Sequence, residues 1–223
     1  MTVKLFIEAI LKFALGIVLI GALIFLPAGT LAFVGGWLLM GILFVPMFIA
    51  GIVMMVKNPS LLASRLEAKE KEKKQSLVVK LSGLMFVVGF VLAGLDYRFG
   101  WVRLPFAVNV VAAVVFILAY VIYAEVLREN TYLSRTIKVV EGQKVISTGL
   151  YGIVRHPMYF ATILLFMSMP LVLGSIVSFV VFLAYPFIIA ARIKNEEEVL
   201  MRELEGYGKY KEKVKYRMLP FIW

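Results

Sequence analysis

Long apolar runs alternate with short polar segments along this chain, and the runs have the length that a bilayer demands. About twenty consecutive apolar residues cross the hydrocarbon core as a helix. Runs of that order lie at 5–26, 31–56, 77–95 and 104–127, followed by two more at 158–173 and 176–191. The pattern predicts an all-α fold, a polytopic transmembrane helical bundle of about six spans. Pro27 and Gly29 predict a tight turn between the first two spans, and Pro46 a kink in the second. Pro170 should tilt or break the short fifth span, and Gly174-Ser175 leaves room only for a tight hairpin before the sixth.

The polar segments are less regular. Residues 57–75 carry a charged run at 67–74 that reads as a solvated face, and 96–101 reads as an interfacial turn with an aromatic anchor. In 128–157, β-branched pairs around Glu141-Gly142 and the string Ser147-Thr148-Gly149 predict short extended pieces joined by turns. Beyond Arg192, apolar positions 193, 200 and 204 predict an amphipathic helix that carries the sixth span into the cytoplasm and stops at Gly206 and Gly208. Tyr207, Tyr210, Tyr216, Phe221 and Trp223 then suggest an aromatic, basic tail lying in the interface. The division that follows is a four-helix scaffold at 1–127 and a functional region at 128–223, within one structural domain.

Composition supports the membrane reading. Of 223 residues, 62% are hydrophobic and 17% charged, against roughly 25% charged in soluble domains. The net charge of +10 is concentrated at 57–75, at 128–157 and in the C-terminal tail. The positive-inside rule places those segments and both termini in the cytoplasm, against anionic lipid headgroups, and the distribution does not suit nucleic acid. The first run is too long for a signal-peptide core and is at once followed by another, so it reads as a retained span. There is no cysteine and one histidine, His156. Thiolate zinc sites, disulfides and cysteine nucleophiles are excluded, and a metal centre is not expected.

Polar groups at membrane depth are costly and mark function. They gather at two places here. One is the string Arg155-His156-Pro157-Met158-Tyr159, where Pro157 suits the first turn of a helix and the helix N–H groups would face an anion. The other is Arg192 with Glu196 and Glu197, Arg192 and Glu196 standing four apart on one helix face.

Those strings, with Gly206-Tyr207-x-x-Tyr210 and Arg217-x-x-Pro220, resemble the isoprenylcysteine carboxyl methyltransferase family, which is itself similar to the membrane phospholipid N-methyltransferases. The resemblance covers roughly residues 128–223. It implies a membrane enzyme that uses S-adenosyl-L-methionine (SAM), on a fold unrelated to the dinucleotide-binding type. Carried over by position, Gln143, Lys144, Val145, Ile146, Tyr151, His156, Pro157, Met158, Tyr159 and Glu196 would contact the cofactor, and Arg192 would face the methyl acceptor. At 143–146 the match is positional, which points to main-chain contacts.

The chemistry of the ligand suits these side chains. Arg155 and His156 would meet the carboxylate of SAM, Glu196 or Glu197 its ammonium or ribose, and Tyr151, Tyr159 and Tyr207 its adenine. Arg192 and Glu196 are the candidates for the catalytic role. The expected acceptor is a lipid-like carboxylate, such as a prenylated cysteine, that enters from the bilayer. Two other readings stand beside it. An N-methyltransferase acting on a lipid amine would need a base, for which Glu197 is the candidate; a carrier or scaffold would need no chemistry at all. Paired interruptions of a transporter-like repeat are not apparent.

Overall fold

The computed structural model describes residues 3–67, 73–134, 136–137 and 139–223, with the backbone alone at 73–74. Most of the charged run at 67–74 therefore lies outside the described residues. Among the described residues, five helical segments are long and apolar enough to cross a membrane: α1 (Val3–Ala28), α2 (Val34–Lys57), most of α4 (Lys73–Phe99), α5 (Phe106–Glu129), and the joined pair α7 (Ile176–Phe182) and α8 (Ala184–Glu203). The remaining apolar helix, α6 (Pro157–Val172), has 16 residues and is shorter than a full span. It runs through Pro170 unbroken. The chain is an integral membrane protein built as a helical bundle.

Packing follows the apolar faces. Helix α5 lies along α6, α1 along α4, and α4 also against α7 and α8. The close approach of α1 and α4 depends on Gly94, where a Cβ would fall 2.6 Å from the Ile24 carbonyl oxygen. Phe90, Phe116 and Phe182 are fully buried at the centre of the bundle, while the outer faces of α1, α2 and α5 expose Leu, Ile and Val to the surroundings.

Several details differ from the sequence-based expectation. Helix α1 includes Pro27 and ends at Ala28. Residues 96–99 belong to α4, and Asp96 is buried, accepting from Ser175 Oγ at 2.5 Å and Val102 N at 3.1 Å. The sixth span is interrupted at Leu183 because Pro186, three residues on, has no N–H to offer the Phe182 carbonyl. The polar stretch after α2 contains a further helix, α3 (Pro59–Leu66), started by Asn58 Oδ1 accepting from Leu61 N at 3.1 Å. Asn109 of α5 donates from Nδ2 to the Val172 carbonyl of α6 at 3.0 Å.

The segment from Asn130 to His156 forms no strand among its described residues. The turn at Glu141-Gly142 does form, with Gln143 N donating to Val140 O and Val140 N donating back to Gln143 Oε1, each at 3.0 Å. The C-terminal segment also departs from expectation. Helix α8 ends at Glu203, and the chain folds into a last helix, α9 (Tyr207–Lys213), with Tyr207 and Tyr210 buried. Leu204, Tyr207, Tyr210 and Val214 form a second small core onto which Val139, Val145 and Leu200 pack. This core sits at the polar end of the bundle and brings the loop and the C-terminal segment together.

Candidate active site

Pro157 opens α6 and His156 caps it. The amides just before the helix are already bonded: Arg155 N donates to Tyr216 O at 3.0 Å and His156 N to Arg217 O at 2.7 Å. Fewer N–H groups face a ligand than the helix start alone suggested. The Arg155 side chain is buried and spans the same junction, donating from Nε to Glu197 Oε1 at 2.8 Å and from Nη1 to Val214 O and Lys215 O at 2.6 and 2.8 Å. His156 Nε2 lies 3.2 Å from Glu197 Oε1, and Arg217 Nε donates to Glu197 Oε2 at 3.0 Å. Glu197, 3% exposed, is the hub that ties α6, α8 and the C-terminal segment together.

Glu196 faces elsewhere, since successive helical residues are turned by about 100°. Its carboxylate accepts from the Tyr159 hydroxyl, and the same hydroxyl accepts from Arg192 Nε at 2.9 Å. Arg192 Nη1 donates to Gln75 Oε1 of α4 at 3.0 Å. An amide, a guanidinium, a phenol and a carboxylate are thus linked across three helices.

An open cavity of about 100 Å³ lies over this array. Its walls bring together Gln143, Lys144, Val145 and Ile146 from the loop, Tyr151, and His156, Met158 and Tyr159 from the start of α6. Arg192 and Glu196 of α8 and Tyr207 of α9 complete it, while Pro157 and Glu197 do not line it. Burial raises the Tyr151, Tyr207 and Tyr210 phenols well above their ordinary range, so all three stay neutral in working conditions. The Tyr207 hydroxyl is fully buried and has no hydrogen-bond partner among the described residues. A buried phenol without a partner is costly and points to a ligand group that satisfies it.

The sequence-based reading passed over several supports of the cavity. Asn130 Nδ2 donates to the Tyr151 hydroxyl at 3.1 Å, and Tyr210 Oη donates to the Tyr151 carbonyl at 2.8 Å. Arg65 of α3 donates from Nη1 to Ser134 O at 3.3 Å and from Nη2 to the Tyr123 hydroxyl, which fastens the 130–137 wall to α5. The Asn58-Pro59 pair was the available signal for α3, an N-cap followed by proline in the first turn. Gly149 is required by its place: its φ is +50°, and a Cβ there would fall 1.3 Å from Glu129 Oε1, whose carboxylate accepts from Leu150 N at 3.1 Å. Among the described residues no cluster of three or more His, Asp or Glu side chains suits a metal ion.

Residues 110–202 match the family model of isoprenylcysteine carboxyl methyltransferase (ICMT). This region belongs to the ICMT family. It takes in nearly all of α5, the loop, α6, α7 and almost all of α8, and so includes every cavity residue named above except Tyr207. Over these residues the chain is similar to a methyltransferase family. No curated protein matches the chain significantly.

Proposed function

We propose that the protein transfers a methyl group from SAM to the carboxylate of a lipid-like acceptor, such as a prenylated cysteine, at the cytoplasmic face of the membrane. The observation that carries this reading is the meeting of Arg192, Tyr159 and Glu196 in one open cavity, inside an ICMT-family region. The unpartnered Tyr207 hydroxyl supports a polar, ring-bearing ligand at the same place.

SAM supplies a methyl group on a sulfonium whose sulfur leaves without protonation. The chain's own task is then to bind, align and exclude water rather than to move protons. Glu196 holds a cationic or hydroxyl-bearing part of the cofactor, with Tyr151, Tyr159 and Tyr207 against its flat base. Residues 143–146 offer main-chain groups, and His156 and Met158 close the side at the start of α6. Pro157 and Glu197 act from behind the wall, by setting the start of α6. Arg192 holds one oxygen of the acceptor while the other attacks.

A carboxylate is anionic near pH 7 and needs no base, whereas a lipid amine does. Glu197, the candidate base, is occupied by Arg155, His156 and Arg217, and this favours the carboxylate acceptor. The acceptor's hydrocarbon part has a place as well. An apolar groove of about 440 Å³ runs between α5 and α6, lined by Val111, Val115, Ile163, Met167 and Leu171 among others. Ile163 of the groove is one helical turn from Tyr159 of the cavity.

The test is calorimetric titration of the purified protein in detergent with S-adenosylhomocysteine. The expected result is saturable binding that Glu196→Gln and His156→Ala weaken by about tenfold. No heat of binding up to millimolar ligand discards the reading. A methylated product that releases methanol in mild alkali is an ester; one that survives is an N-methylated amine.

A further inference from the structure

We infer that Gln75 of α4 is the positioning residue for Arg192, and that α4 thereby sets the protein's grip on the acceptor carboxylate; the inference rests on the role proposed for Arg192 above. Gln75 is completely buried at the polar end of its helix. An amide in that setting costs several kcal/mol if left unbonded. Both ends of this one are directed at a single residue. Oε1 accepts from Arg192 Nη1 at 3.0 Å, and Nε2 reaches the Arg192 carbonyl at 3.5 Å. The side chain is therefore held in register with its own backbone. Tyr159 bonds a different nitrogen, Nε, at 2.9 Å, so two contacts from two other helices orient the plane of the guanidinium.

The identity of the residue matters. Glutamine accepts from the guanidinium, donates to the carbonyl and adds no charge beside an anion site. Glutamate would keep the acceptor, lose the donor and place a second carboxylate where the substrate's carboxylate is to bind. Gln75 lies outside the residues matched to the family, so this contribution comes from the part of the chain otherwise read as scaffold.

The experiment uses the full-length protein in nanodiscs. It measures the S-adenosylhomocysteine Kd, the thermal midpoint, and kcat and KM for radiolabelled methyl transfer to N-acetyl-S-farnesylcysteine. Gln75→Ala and Gln75→Glu are each expected to raise the acceptor KM by about tenfold, with the S-adenosylhomocysteine Kd changed less than about twofold. The KM effect of Gln75→Ala should largely vanish in an Arg192→Lys background, as coupled residues require. Gln75→Glu preserves volume and serves if Gln75→Ala folds poorly. An unchanged KM in an active, folded variant overturns the inference alone. A wild-type protein that binds S-adenosylhomocysteine but methylates no such acceptor removes the premise on Arg192, and one that binds none removes the whole functional reading.

Discussion

Arg155 Nε donates to Glu197 Oε1 at 2.8 Å, with each side chain only 4% exposed. This pair separates two carboxylates that look interchangeable in the sequence. Glu196 lines the cavity, while Glu197 closes the junction of α6, α8 and the C-terminal segment. Removing Arg155 leaves Glu197 to His156 and Arg217 and takes the Arg155 donor from the Val214 and Lys215 carbonyls, at a cost of about 1–3 kcal/mol for each buried group left unbonded. Arg155→Ala should therefore lower the thermal midpoint in detergent markedly. Arg155→Lys should restore little, because an ammonium cannot reproduce a fork that serves Glu197 and two carbonyls together. A wild-type melting curve for Arg155→Ala contradicts this account.

Tyr207 gives the opposite signature. Its hydroxyl has no partner among the described residues, so Tyr207→Phe takes nothing from the unliganded protein and relieves the desolvation of a buried phenol. The variant should melt at or slightly above the wild-type temperature yet bind S-adenosylhomocysteine about fivefold to tenfold more weakly. Loss of stability with unchanged affinity would show the hydroxyl to be structural.

Gly149 offers a steric test. An added methyl would overlap the Glu129 carboxylate at 1.3 Å, and the backbone φ of +50° strains any L side chain by roughly 1–2 kcal/mol. Gly149→Ala should reduce both stability and ligand affinity, since Leu150 and Tyr151 follow directly. Pairing it with Glu129→Ala should recover the steric part and leave the backbone part. Circular-dichroism melts of the two variants separate these contributions.

Much of the architecture was readable because bilayer thickness acts as a filter on length. An apolar run such as that in α5 admits few alternatives, and the run that forms α6 is visibly short for a span. What escaped was whatever depends on partners far apart in the chain. Asp96 looks interfacial by its neighbours and is buried only because Ser175 reaches it. Gln75 and Arg65 sit in a segment whose composition suggests a solvated face, and nothing local shows that α8 and the 130–137 wall receive them. Tyr207 and Tyr210 resemble membrane-belt aromatics in composition; their burial comes from packing against Val139 and Val145. The cavity residues were legible as a set because motif spacing survives where packing partners do not show. Their division into ligand-facing and supporting groups was not legible, since it is decided by the turn of one helix at Glu196 and Glu197.

The bonding of Arg155 to carbonyls 59 and 60 positions further along has a consequence for biosynthesis. At ordinary translation rates those positions emerge about 3–12 s after Arg155 itself. Helices α1 to α6 can be inserted in the bilayer during that interval, while the junction at Glu197 does not yet exist. The cavity is thus the last part of the molecule to be assembled. A nascent chain held in the membrane should remain without cofactor affinity until residues 214–217 have left the ribosome.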